Sequence, residues 1–323
     1  MKNLSKTTAK EFKPMTELYE RLAKAVGIEN IEKDADMSKE VSFRAGGKAD
    51  ILVRPQNREQ LIEVLSLLSK EDVNHLVMGN GSNLLIKDGG YRGVVVNISS
   101  AAFSDFEILK EEKGYVYVRV GAGMLMGVLA RKLADNSLAG FEFASGIPGS
   151  LGGAVFMNAG AYDGEIKNII VSAEVIDKDG TEIKTVDAKD MELSYRHSIF
   201  HNTGDVIISA ELKFKQGNKE EIEAKMAELG KRRNEKQPVN YPSAGSFFKR
   251  PEGYFAGKLV QDAGLKGYTV GGAQVSELHS GFVINIGGAT ASDIVAVMKH
   301  CQKEVYDKFG VNLEPEVRIL GED

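Results

Sequence analysis

Apolar positions along this chain change rhythm several times, and each rhythm predicts an element. Leu18, Leu22 and Val26 stand four apart between residues 15 and 27, the spacing of one helix face. From Asp50 the rhythm shortens. Ile51-Leu52-Val53 predicts a buried strand, Leu61, Ile62, Leu65 and Leu68 predict a helix, and Leu76-Val77-Met78 predicts a second strand. Asn57 stands as N-cap of that helix with Gln60 three residues later. The pattern is a βαβ crossover, and Val94-Val95-Val96 adds another strand. Residues 115–120 alternate with period two, a helix follows around 125–133, and 171–176 and 206–214 return to strand. Alternation in these later strands predicts an antiparallel or mixed sheet with one covered face. Ile222, Met226 and Leu229 mark a connecting helix among Lys and Glu, and Ile294, Val297, Met298, Cys301 and Val305 mark a closing helix ended by Gly310.

Two stretches interrupt these rhythms with glycine. The first is Gly79-Asn80-Gly81-Ser82-Asn83, just after an apolar run. The second is Gly146-Ile147-Pro148-Gly149-Ser150-Leu151-Gly152-Gly153, which continues through Asn158-Ala159-Gly160-Ala161-Tyr162. Consecutive glycines let backbone N–H groups converge on an anion, and Ser150 adds a hydroxyl. Tight turns are the alternative reading of either cluster alone; two clusters of this kind point to the phosphates of a dinucleotide. Neither is a P-loop, because no Gly-Lys-Ser/Thr triplet occurs. A Rossmann fingerprint begins at Gly121 and Gly123 and stops at Met126, where a glycine belongs.

Length and composition narrow the class. At 323 residues the chain fits two or three compact domains, and 42% apolar with 27% charged residues is ordinary for a globular protein. A net charge of −5 argues against nucleic acid as partner. The segment from Met1 to Thr8 has no apolar core of a signal peptide, and no apolar run approaches the roughly 20 residues of a membrane span. A cytoplasmic protein without membrane attachment is expected. Cys301 is the only cysteine, which excludes an internal disulfide, and five scattered histidines give no metal-ligand spacing.

Three segments combine ionisable residues with turn chemistry. Arg196 lies in Ser194-Tyr195-Arg196-His197-Ser198, Ser246 in Ser243-Ala244-Gly245-Ser246-Phe247-Phe248-Lys249-Arg250, and Glu316 in Leu313-Glu314-Pro315-Glu316-Val317-Arg318. Each has a plain alternative: a surface ion pair, a capped turn, and an edge strand with Glu314, Glu316 and Arg318 on one outer face.

Six motifs in order nevertheless resemble one family: GNGSNLL at 79–85, GIPGSLGGAVFMNAGAY at 146–162, SYRHSIF at 194–200, PSAGSFFKRP at 242–251, GLKGYTVGGAQVS at 264–276 and LEPEVRILG at 313–321. The resemblance is to the UDP-N-acetylenolpyruvoylglucosamine reductases, also called UDP-N-acetylmuramate dehydrogenases, and it runs from about Val41 onward. It implies an α+β protein: a two-subdomain FAD-binding fold of the flavin oxidase (PCMH) type with a C-terminal α+β substrate domain. The expected divisions are a helical lead at 1–32, FAD subdomains at 33–100 and 101–217, and a substrate domain at 218–323 whose closing strand returns to the active site. Non-covalent FAD is implied against Gly79, Asn80, Gly81, Ser82, Asn83, Gly146, Ile147, Gly149, Ser150, Gly152, Gly153, Asn158 and Gly160, with NADPH as co-substrate. The family's catalytic arginine, serine and glutamate fall on Arg196, Ser246 and Glu316. Substrate contacts are implied at Tyr195, Lys236, Lys249 and Arg250, and the implied substrate is UDP-N-acetylglucosamine enolpyruvate, a peptidoglycan precursor. In the implied chemistry hydride passes to FAD and on to the enolpyruvyl carbon, and the serine supplies the proton.

One branch of the family carries a tyrosine-bearing loop between the arginine and serine motifs. Here Arg196 and Ser246 are only 50 positions apart, so this chain is similar to the shorter branch. Arg250 replaces the asparagine frequent in the family. Two rival readings stand beside this one: an oxidase of the same FAD fold, and a UDP-sugar sensor without turnover. Neither glycine stretch holds the His or Cys with which many such oxidases tether flavin, and Arg196, Ser246 and Glu316 are all present.

Overall fold

The computed structural model describes residues 15–323. The expected leader-free start, Met1 to Thr8, lies outside the described residues.

The first unit opens with α1 (Met15–Val26), β1 (Ile31–Asp36), β2 (Lys48–Val53), α2 (Arg58–Lys70), β3 (His75–Met78), β4 (Leu84–Ile86) and β5 (Tyr91–Asn97). Asn57 caps α2 by accepting from the Gln60 N–H, and Leu18, Leu22 and Val26 are buried, as the spacing predicts. The sheet runs β1-β2-β5-β3, with β1 antiparallel to β2 and the other three parallel, so the crossover through α2 leaves a place that β5 fills. Both faces are covered. Ile51, Val53, Val94 and Val96 enter one core with α1 and α2, whereas Leu52, Leu76, Met78 and Val95 enter a second core shared with the C-terminal unit. Two-sided burial explains continuous apolar runs in place of alternation.

The second unit contains β6 (Phe106–Glu112), β7 (Tyr115–Gly121), α3 (Met126–Asp135), β8 (Leu138–Ala139), α4 (Leu151–Phe156), β9 (Gly160–Ala161), β10 (Gly164–Glu165), β11 (Ile170–Ile176), β12 (Ile183–Asp187), α5 (Phe200–Thr203) and β13 (Val206–Gln216). Its main sheet is antiparallel in the order β12-β11-β13-β7-β6, with β8 paired to β13. Val116, Val118 and Val120 point to the core while Tyr115, Tyr117 and Arg119 do not, which is the alternation read from the sequence.

The long polar helix α6 (Lys219–Lys236) leads to α7 (Ala256–Asp262), β14 (Thr269–Val270), β15 (Ala273–Val275), β16 (Val283–Asn285), α8 (Ala291–Phe309) and β17 (Arg318–Leu320). A capping box between Thr290 and Asp293 starts α8, and Gly310, at φ 67°, ends it in the left-handed conformation. The Asp88 carboxylate of the first unit accepts from the Ala291 and Ser292 amides at 2.8 Å each, fastening α8 to the first unit.

A strand over 313–320 is expected from the sequence; the structure holds only Arg318–Leu320 as strand, paired in parallel with β4. Pro315 has no N–H to give a continuing ladder. Cys301 is fully buried on α8, and burial pushes its thiol up to about 12. Because the thiolate is the reactive form, native protein at pH 8 should not react with a disulfide-exchange reagent, and one thiol per chain should appear in denaturant. Rapid native labelling would show that α8 opens.

Candidate active site

The arginine loop is a tight hairpin. Ser194 and His197 exchange backbone hydrogen bonds at 3.2 and 3.1 Å, and Arg196 between them sits at φ 54°, a left-handed conformation uncommon for a residue with a Cβ. Such a conformation persists only where its surroundings over-determine it. Here the buried Ser198 hydroxyl donates to the Phe156 carbonyl at 2.6 Å, and the Asn158 amide donates to the Ser194 carbonyl at 3.0 Å and to Glu165 at 2.8 Å. The Asn158 side-chain oxygen accepts from the Lys167 amide. Both of its side-chain N–H donors are thus engaged by protein, and Asn158 fastens the arginine loop to the glycine segment.

The serine and glutamate come from segments that lie side by side. Glu316 N–H donates to the Phe247 carbonyl at 2.8 Å and Lys249 N–H to the Glu314 carbonyl at 2.9 Å, two rungs that lock 247–249 against 314–316. Phe247 and Phe248 are buried, with Phe247 edge-on to Phe43 at 6.0 Å. Anchored by those rings and preceded by Gly245 at φ 79°, Ser246 is left exposed toward the cleft. The first glycine loop reaches the same place: the Asn83 side chain donates to the Glu316 carbonyl at 3.2 Å, and its own carbonyl accepts from Arg318 N–H at 3.1 Å.

Arg196 Nε donates to Glu316 Oε1 at 2.5 Å. Their side chains are only 21% and 13% exposed. Burial pushes the Glu316 carboxyl above the usual range, and the Arg196 charge opposes that shift without cancelling it. The expectation that Glu314 and Glu316 share an outer face is corrected: Glu314 is 74% exposed, while Glu316 points inward.

Arg196, Ser246 and Glu316 line one cleft of about 750 Å³, together with Tyr195 and Arg250. The Tyr195 hydroxyl accepts from Arg250 N–H at 3.1 Å, and its ring lies under the Arg196 guanidinium at 5.1 Å. Of the other expected substrate contacts, Lys236 is exposed at the end of α6, and Lys249 pairs with Glu314 at 3.5 Å while its charge also acts on the Glu316 carboxyl.

The two glycine loops meet. A Cβ on Gly79 would lie 2.1 Å from Ser150 Oγ, and the Asn80 side-chain Nδ2 donates to the Pro148 carbonyl at 2.5 Å. Gly81, at φ 61°, is pressed against the Glu40 carbonyl. Some of the glycine content therefore serves close packing, and Gly152 against Ala122 is the same case. Ile147 packs on the core and its N–H donates to the Ala144 carbonyl, so no donor of Ile147 faces a ligand; Gly160 belongs to the small hairpin β9–β10 that edges the cleft. What remains suits an anion. Among the described residues the amides of Asn80, Gly81, Ser82 and Asn83 in one loop, and of Gly149, Ser150 and Gly153 in the other, donate to no protein acceptor. Orphan amides converging from two touching loops form a cradle that fits a diphosphate.

Arg233 of α6 was not singled out from the sequence. It lies against Gly146, and burial lowers its affinity for its proton. Its signal was the four-residue step from buried Leu229, which places Arg233 on the inward face of an otherwise polar helix.

Known proteins agree with this geometry. Residues 49–186 match the family described as FAD binding domain, and residues 237–320 match the UDP-N-acetylenolpyruvoylglucosamine reductase C-terminal domain. The chain is 50% identical over 307 residues to the UDP-N-acetylenolpyruvoylglucosamine reductase of Clostridium perfringens, covering 95% of this chain and 98% of that one. The Clostridioides difficile enzyme of that name is also 50% identical, over 95% and 99% of the two chains. The crystal structure of the reductase from Thermus caldophilus superposes with a TM-score of 0.76 at 33% identity, over 90% of this chain and 98% of that one.

Proposed function

The chain belongs to the UDP-N-acetylenolpyruvoylglucosamine reductase family of FAD enzymes, and on that premise we propose that it reduces UDP-N-acetylglucosamine enolpyruvate to UDP-N-acetylmuramate, with NADPH as hydride source and Ser246 as proton donor. FAD, when bound, would supply the hydride chemistry, and the rest falls to the chain. The free backbone amides at Asn80 to Asn83 and at Gly149, Ser150 and Gly153 would hold the cofactor's diphosphate, and the Arg233 charge at Gly146 would add to that field. Arg196 takes the enolpyruvyl carboxylate, where negative charge grows as hydride arrives, and being fixed beforehand it needs no reorganisation. Glu316 holds Arg196 in place and, once protonated, donates to the same carboxylate. Ser246 gives its proton to the α-carbon. Among the described residues no helix is long and apolar enough to cross a membrane, and we place the reaction in the cytoplasm.

The observation that carries this reading is the convergence of Arg196, Ser246 and Glu316, from three distant segments, on one cleft. Anaerobic titration tests it. NADPH should bleach the bound flavin, and the enolpyruvyl sugar nucleotide should restore its colour without oxygen. Recovery only on admitting oxygen would instead favour an oxidase.

A further inference from the structure

We propose that His201 is a positioning residue for Arg196, the middle plate of a stack that ties the arginine loop to the strand after Glu316 and that works while the imidazole is neutral; the inference rests on the function proposed above. Four planar groups make the stack. The Arg318 guanidinium carbon lies 5.1 Å from the centroid of the Phe156 ring. Phe156 lies 3.9 Å from His201 at an interplanar angle of 30°, and His201 lies 5.3 Å from His197 at 28°. The ends of this column matter. His197 follows Arg196 directly, and Arg318 stands two residues after Glu316, so the column joins the two members of the ion pair by a second route.

Ordinary core packing does not account for the column. His201 is exposed, so burial of apolar surface is not what lays its ring against Phe156. Phe156 is also tied to the arginine loop through its backbone, because its carbonyl accepts from the Ser198 hydroxyl at 2.6 Å. Ring and carbonyl thus grip the loop at two points. His197, whose backbone closes the hairpin around Arg196 at 3.1 and 3.2 Å, is the plate that passes this register to the guanidinium. Register is worth a great deal here, since a misplacement of about 1 Å can cost roughly 100-fold in rate.

The surroundings select a neutral ring. The charged and titratable groups that face His201 are His197 on the arginine loop, Arg318 on β17 and Lys249 on the serine segment, none of them a carboxylate, and α4 contributes the uncharged Phe156. The Lys249 charge acts on Glu316 as well, so column and site share one field. His201 Nδ1 lies 3.4 Å from the Ser198 N–H and 3.2 Å from the Ser198 carbonyl. A neutral Nδ1 can accept from that N–H; a protonated one can only donate to the carbonyl. Partial burial holds the imidazole below its ordinary value, with the His197, Arg318 and Lys249 charges acting the same way and the Ser198 bond opposing them. With a lowered value the neutral form persists below the ordinary imidazole range. The column is therefore intact at neutral pH and is disturbed only as pH falls through the lowered value.

The test uses holoenzyme carrying His201→Ala, which removes the plate, or His201→Phe, which retains a plate that cannot titrate. The flavin spectrum reports that each variant has folded. Stopped flow follows both half-reactions between about pH 5 and 8, the range in which imidazole changes charge. At the upper end His201→Ala should be reoxidised by the enolpyruvyl substrate roughly 10- to 100-fold more slowly than wild type, while NADPH reduces its flavin at the wild-type rate. His201→Phe should recover the wild-type reoxidation rate there. The ratio of wild-type to His201→Phe reoxidation rates should be flat at the upper end and fall toward the acid end, where only the wild-type column takes up a proton. In wild-type enzyme the His201 Cε1–H resonance should titrate with the midpoint of that fall, a readout that does not depend on either variant folding. Unchanged reoxidation in His201→Ala, equal slowing of both half-reactions, a ratio independent of pH, or a resonance midpoint apart from the kinetic one each overturns the proposal. Reduced wild-type flavin that the enolpyruvyl substrate reoxidises at no pH would overturn the reductase reading and this inference with it, whereas normal wild-type reoxidation beside an indifferent His201→Ala overturns this inference alone.

Discussion

In Ser246→Ala, flavin reduction by NADPH is expected to run at close to the wild-type rate, while reoxidation by the enolpyruvyl sugar nucleotide slows by roughly 10²- to 10⁴-fold, the contribution of a positioned general acid. The separation follows from when each residue is needed. Taking hydride from NADPH asks for no proton from Ser246, whereas completing the new bond at the α-carbon does. A hydroxyl is a feeble acid, but the carbon it serves is strongly basic once hydride has arrived. The substitution is also gentle on the fold. Ser246 is exposed, and its segment is held by Phe247, Phe248 and the rungs to Glu314 and Glu316, all of which remain. Stopped-flow traces of the two half-reactions decide the matter. Equal loss in both would make Ser246 structural, with Glu316 the next donor to examine.

Arg196→Met should be the second large effect, lowering the reoxidation rate by roughly 10²- to 10³-fold, the usual loss when one preorganised donor is removed. It also has a stability signature that separates it from Ser246→Ala. Glu316 is buried and its carboxyl is already raised. A raised acid in the folded state means that the stability associated with its neutral form is complete below the unfolded value and is lost as pH rises through the folded one. Removing Arg196 takes away the cation that opposes the shift, so the folded value moves further up and the loss deepens at higher pH. The fall in Tm relative to wild type should be greatest near pH 8 and should shrink as pH falls and Glu316 takes up its proton in both proteins. Breaking a buried pair costs up to about 3–5 kcal/mol, so the difference is measurable. Adding Glu316→Gln to Arg196→Met should recover most of the Tm at pH 8. A Tm difference independent of pH would show that Glu316 is not the group responsible.

Local elements were legible because their causes are local. The Asn57 cap, the four-residue spacing of Leu18, Leu22 and Val26, and the alternation in β7 each depend on neighbours within a turn or two. The six motifs located the three catalytic candidates, but their geometry was written in contacts between distant segments. Nothing near residue 313 tells Glu314 from Glu316; what separates them is the rung from Glu316 N–H to the Phe247 carbonyl, 69 positions back, and the partner waiting at Arg196. The glycine loops were read correctly as unusual and incompletely as to cause. Gly79 and Gly152 yield space to the protein itself, and the anion-ready groups are the amides that remain. At Asn158, a polar residue beside glycines gives no sign in the sequence that Ser194, Glu165 and Lys167 use its side chain.

The parallel pairing of β17 with β4 has a bearing on biosynthesis. Residues 318–320 leave the ribosome more than 200 residues after their partners at 84–86, and Asn83 at the edge of that pairing is also the residue that grips the Glu316 carbonyl. While the chain is being made, the N-terminal units can bury one face of the first sheet, but the core on the face that carries Leu52, Met78 and Val95 is completed only when α8 and its C-terminal neighbours arrive. Closing a loop of more than 200 residues is slow relative to local folding. For that interval the nascent protein shows an incompletely covered apolar face and an open edge to its surroundings, so the yield of finished protein should respond to translation speed and chaperone access.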